Sequence, residues 1–246
     1  MSARCRRCAV LVAGLLVVAL GSRAEPLPMV FTHLSTEQGL SQATVNDVLQ
    51  DSQGFIWLAT QNGLNRYDGV ELKRYYRDPE GSDGLASDYV VALDEDRFGN
   101  IWIATDGGGV AVWNRRTDTI RSYRHRNGDA RSLASDQVHD VLVDRSGHVW
   151  IATRDRGLDR LDPRSGAITH FVHDATRPES LGSNRNLYAL LEDRDGAIWV
   201  SSSVGLDRHV GLHRWDRRHR FGESIVRRRP VRLPASCCYC PDSPFR

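Results

Sequence analysis

From about residue 40 onward, apolar residues fall in short runs of four to seven, rich in Val, Ile, Leu and aromatics and broken by Gly, Asp and Asn. Such runs are strand chemistry, because β-branched and aromatic side chains suit a pleated, buried surface while Gly, Asp and Asn suit turns. No stretch beyond residue 24 sustains an apolar period of 3.6 over a dozen residues, so no amphipathic helix is predicted.

One run recurs four times. It reads Gly54-Phe55-Ile56-Trp57-Leu58-Ala59-Thr60, then Gly99-Asn100-Ile101-Trp102-Ile103-Ala104-Thr105, then Gly147-His148-Val149-Trp150-Ile151-Ala152-Thr153, and more weakly Gly196-Ala197-Ile198-Trp199-Val200-Ser201-Ser202. The tryptophans are 45, 48 and 49 residues apart. Around each lie three further segments. A first one precedes it (Val45–Leu49, Val90–Leu93, Val138–Leu142, Leu187–Leu191). A third follows it (Gly63–Asp68, Gly109–Asn114, Gly157–Asp162, Gly211–Asp216). A fourth closes the unit (Leu72–Tyr76, Ile120–Tyr123, Ile168–Phe171). Asp-x-x-Gly joins the first segment to the second at Asp51/Gly54, Asp96/Gly99, Asp144/Gly147 and Asp193/Gly196. Aspartate favours the first position of such a turn and glycine tolerates its left-handed backbone.

Four antiparallel strands per 45–49 residues make one propeller blade. The predicted fold is all-β, a partial β-propeller of about four four-stranded blades at residues 40–84, 85–132, 133–180 and 181–221 within a repeat region of 25–221. A lone blade buries too little, so each Trp is expected to cover the neighbouring blade.

These phrases resemble the two-component regulator propeller family. The opening Phe31-Thr32-His33-Leu34-Ser35-Thr36-Glu37-Gln38-Gly39-Leu40-Ser41 is similar to that family's usual beginning, and Asp-x-x-Gly-x-Ile-Trp-Ile-Ala-Thr with Gly-Leu-x-Arg-Tyr-Asp resembles its blade signature, over residues 30–216. The resemblance implies a sensor region outside the cytoplasm, feeding a histidine kinase or diguanylate cyclase module through a later membrane helix. It also implies an extracytoplasmic ligand, with glycan-derived molecules one class.

Three departures qualify the pattern. The fourth repeat drifts from Ser201, and Ser203–Val210 reads as an insertion before Gly211. Residues 222–246 hold Arg227-Arg228-Arg229, Cys237-Cys238-Tyr239-Cys240 and four prolines, and are expected to be a frameshifted or truncated tail. Residues 31–34 read as an outermost strand whose blade partners would come from the other end of a closed ring. An unclosed arc exposes a tryptophan-bearing face and strand edges.

Composition adds a few limits. Residues 1–24 combine Arg4, Arg6 and Arg7 with an apolar run from Ala9 to Gly21 and a small-residue site, which predicts an export signal cleaved after Ala24. Membrane association is then expected only through an uncleaved signal or a missing downstream region. The formal charge of +2 implies no field for nucleic acid, and none is expected as a partner. No cysteine lies between residues 9 and 236, so the repeats contain no disulfide framework.

No catalytic, cofactor or metal site is expected. Nucleotide-loop, nucleophile-elbow and zincin motifs are missing from the sequence. Asp106-Gly107-Gly108-Gly109 reads as a flexible loop, Asp193-Arg194-Asp195-Gly196 as a turn and not a calcium loop, and His170 and His173 as surface residues. Strand parity puts the connections after the second and fourth strands on one side. That candidate ligand face includes Gln61-Asn62, Asp106, Arg154-Asp155-Arg156 and the connections 77–88, 124–136 and 174–186. Asn62, Asp106, Arg154 and Asp155 are the residues singled out there. Two other readings stay open: a secreted propeller enzyme of lyase or hydrolase type, and a protein-interaction propeller.

Overall fold

The computed structural model describes residues 31–78, 84–210 and 214–216. The chain divides into Met1–His33 and Leu34–Arg246. Of the first unit only residues 31–33 are described, without regular structure. The export signal, residues 222–246 and all five cysteines lie outside the described residues.

The described residues of the second unit are all-β apart from one 3-10 turn at Thr36–Gln38. Ser35 and Gln38 form a capping box around that turn. Residues 31–35 carry no strand, so the outermost strand expected at 31–34 does not form. No described strand lies beside it to supply ladder partners.

Among the described residues sixteen strands build four antiparallel sheets, each paired in chain order. Blade 1 holds β1 (Val45–Gln50), β2 (Ile56–Thr60), β3 (Gly63–Tyr67) and β4 (Leu72–Tyr75). Blade 2 holds β5 (Val90–Glu95), β6 (Ile101–Thr105), β7 (Gly109–Asn114) and β8 (Thr119–Tyr123). Blade 3 holds β9 (Val138–Val143), β10 (Val149–Thr153), β11 (Leu158–Leu161) and β12 (Ile168–Phe171). Blade 4 holds β13 (Leu187–Glu192), β14 (Ile198–Ser202), β15 (Gly205–Val210) and β16 (Arg214–Asp216). First strands of consecutive blades adjoin one another (β1 with β5, β5 with β9, β9 with β13), the inner wall of a propeller arc that is not closed.

The fourth blade corrects the sequence reading. Its third strand is Gly205–Val210, the supposed insertion, and part of the supposed third segment is its fourth strand. The reason lies in the residues. Gly205-Leu206-Asp207-Arg208 repeats Gly157-Leu158-Asp159-Arg160. Buried Asp207 accepts the Gly182 N–H at 3.0 Å, as buried Asp159 accepts the Ala134 N–H at 2.8 Å. Each carboxylate thus pins the chain entering its own blade.

Burial follows blade position. All five residues of β6 and of β10 are buried, because both faces of blades 2 and 3 are covered. The second-strand Trp stacks on an aromatic of its own fourth strand: Trp57 on Tyr75, Trp102 on Tyr123, Trp150 on Phe171. It also meets the third strand of the next blade. Trp57 packs on Trp113 at 4.7 Å, Trp102 clusters with Leu161, and Trp150 packs on His209 at 5.4 Å. At the end of the described arc Tyr188 and Leu191 are about half exposed (51% and 53%), the apolar exposure expected of an open face.

The Asp-x-x-Gly turns do more than reverse the chain. In each, one carboxylate oxygen accepts one or two backbone N–H groups of the turn, and the other accepts the indole N–H of the blade's Trp. The indole distances are 3.0 Å for Asp51–Trp57, 3.4 Å for Asp96–Trp102, 2.8 Å for Asp144–Trp150 and 2.8 Å for Asp193–Trp199. Gly54, Gly99, Gly147 and Gly196 adopt the positive φ that the turn needs. A buried indole N–H without an acceptor is costly, so Asp and Trp six residues apart act as one unit.

Candidate functional site

The side of the arc reached by the β2–β3 type hairpins and by the connections into each first strand is built by a second repeated device. Thr60, Thr105 and Thr153 each donate from Oγ1 to the carbonyl of the glycine opening the next strand, at 2.8, 2.9 and 2.6 Å, and Ser202 does so to Gly205 at 3.3 Å. Asp88, Asp136 and Asn184 end the connections. Their carbonyls accept the N–H groups of Gly63, Gly109 and Gly157, and their side-chain oxygens accept the N–H groups of Arg77, His125 and His173. The connections 77–88, 124–136 and 174–186 are therefore clamped at equivalent points. Asp106-Gly107-Gly108-Gly109 is likewise tied, Gly107 and Gly109 both donating to Asp136 O, which corrects its reading as a flexible loop.

Thr153→Val removes one buried hydroxyl that also accepts the Arg156 N–H at 3.0 Å. It is expected to lower stability by about 1 kcal/mol, read as a shifted denaturant midpoint.

Each first strand carries a bulge at its start on this same side, opposite Thr60, Thr105, Thr153 and Ser202. The extra residues are Asn46, Val91, His139 and Tyr188. A bulge leaves its residue out of the ladder and re-aims it. Asn46 donates to Val90 O at 2.7 Å, while His139 Nδ1 sits 3.0 Å from Leu187 O and its ring stacks on Tyr188. Carboxylates tie the same strands together: Asp47 accepts Leu93 N–H, Asp94 accepts Val143 N–H and Asp140 accepts Leu190 N–H, at 2.9, 2.8 and 2.7 Å.

Within this frame, two positions per repeat vary in chemistry: the residue after the Thr (Gln61, Asp106, Arg154) and the one after the clamp (Tyr89, Gln137, Arg185). Gln61 donates to the Tyr89 hydroxyl at 3.2 Å. Asp106 bridges to Gln137 through the backbone and lies 3.8 Å from the Arg154 guanidinium. Between blades 3 and 4 a concavity of about 460 Å³ is lined by Gln137, Arg154, Asp155, Arg156, Arg185 and Asn186. Three of the four residues singled out from sequence thus gather here, Arg154 and Asp155 in the lining and Asp106 beside it. Asn62 is exposed, hydrogen-bonded to Thr60, and not part of the concavity. Gln137 was missed because it follows the 124–136 connection. Its signal is its place after the recurring Ser-Asp/Asn pair.

A second cleft, of about 370 Å³, lies between blades 2 and 3 at the Asp-x-x-Gly side and includes Asp96, Trp102, Tyr123 and Pro163. At the preceding interface Arg115 reaches back to Asp51 at 3.1 Å. Pro163 occupies the equivalent place in blade 3 and cannot do so, which leaves the cleft open.

The histidines differ from their expected surface role. His170 is only partly exposed. Its Nδ1 lies 2.6 Å from Oδ1 of fully buried Asp159 and its Nε2 lies 3.0 Å from Ala130 O. The hydrogen bond to Asp159 pushes its pKa up to about 9. His173 Nδ1 pairs with Leu181 O. Asp193 Oδ1 accepts the Asp195 and Ala197 N–H groups, a turn as read. Among the described residues no group of three or more His, Cys, Asp or Glu could hold a metal ion, and no helix is long and apolar enough to cross a membrane.

The strands and this face define a β-propeller repeat protein with a polar concavity among its inter-strand loops. Residues 39–62, 84–107, 132–155 and 180–203 each match the model of the family described as two component regulator propeller. The blades are repeats of that kind, as the resemblance in the sequence implies. The extracellular domain of a hybrid two component system from B. thetaiotaomicron is 30% identical, with a TM-score of 0.65 over 72% of this chain and 24% of that one. Histidine kinase P4 from Formosa agariphila is 36% identical over 69 residues, 28% of this chain and 5% of the kinase. The chain therefore spans about a quarter or less of these relatives. Virginiamycin B lyase from Staphylococcus aureus, 17% identical with a TM-score of 0.51 over 69% of this chain and 53% of the lyase, shares the fold alone.

Proposed function

We propose that these residues form a ligand-sensing propeller segment of a two-component-type signalling protein. The segment works outside the cytoplasm, and the output module is not among its 246 residues. The observation that carries this reading is the match of all four blades to two component regulator propeller repeats, together with 30% identity to an extracellular two-component domain. The face of the Thr-clamped hairpins supports it, because a fixed frame displays side chains that differ from blade to blade. Rigid scaffolds that hold variable residues at loop ends are suited to binding. A ligand there would join blades 3 and 4 and alter how the arc packs against whatever follows.

The lyase-type reading has less support. The concavity is lined by one carboxylate, Asp155, and no histidine, so it offers no acid–base pair. The test is a thermal-shift screen of the full chain against saccharides, amino acids and organic acids. Saturable stabilisation by one of them, lost in Gln137→Ala or Asn186→Ala but not in Asn62→Ala, is the expected result. A hit that ignores the concavity variants, or no hit, would sink the proposal.

A further inference from the structure

We infer that the concavity between blades 3 and 4 takes a small hydrophilic anion, a molecule with hydroxyl or carbonyl groups and one carboxylate or phosphate. This rests on the sensing reading and names its ligand class. Every lining side chain is polar, which disfavours lipidic or aromatic ligands, and the volume of about 460 Å³ lies in the range of small-molecule sites. Three arginines, Arg154, Arg156 and Arg185, and one carboxylate residue, Asp155, are among the lining residues, so cationic charge is in excess there.

The cations are not saturated. Arg154 lies 3.8 Å from Asp106 and Arg156 lies 3.8 Å from Asp155, both longer than the paired N–H···O bonds that a guanidinium fork makes with a carboxylate. The Arg185 guanidinium enters none of the ion pairs among the described residues. Arg is suited to this task because its planar fork matches two oxygens of a carboxylate or phosphate at once. The Gln137 and Asn186 amides add donors and acceptors of the kind that pair with hydroxyls.

The backbones of the lining loops are tied to one another. Arg154 N–H donates to Gln137 O at 2.9 Å, and Asn186 N–H donates to Arg154 O at 2.7 Å. The loops carrying the three arginines are therefore joined across the blade boundary, so their backbones hold three cationic side chains around one concavity. Like charges gathered around one concavity gain from a shared counter-anion, and the gain falls with salt because the side chains are solvent-exposed.

The test titrates the full chain with sodium D-galacturonate, inorganic phosphate and D-galactose at low ionic strength, by calorimetry or amide chemical shifts. Galacturonate or phosphate is expected to bind saturably, with galactose at least about tenfold weaker. Which anion binds more tightly separates the carboxylate source from the phosphate source. Arg185→Gln and Arg154→Gln are expected to weaken the anion about tenfold each, with unchanged melting temperatures showing intact folds. Equal binding of galactose, or anion binding that ignores both variants, would overturn the inference. So would a screening hit that depends on Gln137 and Asn186 but not on the arginines, although the sensing reading would then stand. If the anions, galactose and the wider ligand set all leave the chain unmoved, both fall.

Discussion

Trp57→Ala is expected to lower stability by about 3–5 kcal/mol, whereas Trp199→Ala should cost under about 2 kcal/mol. The two residues occupy the same place in the same phrase, so their local chemistry is matched. Both donate an indole N–H to the Asp six residues earlier, at 3.0 and 2.8 Å. An arginine of the adjacent strand lies over each ring, Arg66 at 5.7 Å and Arg208 at 5.4 Å. What differs is the next blade. Trp57 is fully buried, stacked on Tyr75 and packed against Trp113 of blade 2. Trp199 is only partly buried and meets no aromatic partner among the described residues. Removing Trp57 opens a cavity at a blade boundary and leaves the turn carboxylate of Asp51 with Arg115 as its remaining side-chain partner. Because the blades stack in one dimension, that loss weakens coupling along the arc as well as one sheet. Urea denaturation of both variants checks this. Equal losses would mean that the indole serves its own blade and not the boundary, contrary to the packing described above.

Much of this architecture is legible in the sequence for a simple reason. A repeat states the same structural problem four times, and residues that recur must solve it each time. The Trp phrase, the Asp-x-x-Gly turn and the strand order could be read that way. The third strand of the fourth blade is hard to place from sequence because Gly211–Asp216, with Trp215, resembles the third-segment phrase more openly than Gly205–Val210 with its buried polar residue does. Asp207 marks the third strand as surely as Asp159 does, but a lone Asp in a strand looks like a loop signal until its role as acceptor for the incoming chain is known. The Asp–Trp bond was hidden for a related reason: six residues of separation show no proximity until the hairpin closes. The candidate face was half legible. Parity of strands places Asp106, Arg154 and Asp155 on one side, but which of them converge depends on bulges and backbone bridges that no local pattern encodes. Asn62 lies on the correct side and still misses the concavity, since that opens between blades 3 and 4 and Asn62 belongs to blade 1.

His170 should make the chain less stable as pH rises from about 6.5 to about 9, and His170→Gln should remove that component. The imidazole sits between a fully buried carboxylate, Asp159, and the Ala130 carbonyl, so both ring nitrogens can donate only when the ring is protonated. The folded state therefore holds the proton to about 9, while the unfolded chain releases it near 6.5. A raised folded pKa means that the stabilisation is fully present below the unfolded value and is lost as pH climbs through the folded one. The imidazolium is partly exposed, so screening trims the effect to about 1–2 kcal/mol. Above about pH 9 the neutral ring can serve only one of its two acceptors as a donor, and Asp159 keeps the Ala134 N–H but loses its cationic partner. The consequence reaches past one side chain. Asp159 pins the entry to blade 3 and Ala130 belongs to the connection from blade 2, so this histidine fastens the 124–136 loop to the blade it introduces. Denaturation midpoints of the unmodified chain and of His170→Gln, measured at pH 6 and at pH 9.5, give the comparison. A narrowing gap between the two proteins at high pH is expected. A gap that stays constant would show that His170 stabilises through packing and not through its charge.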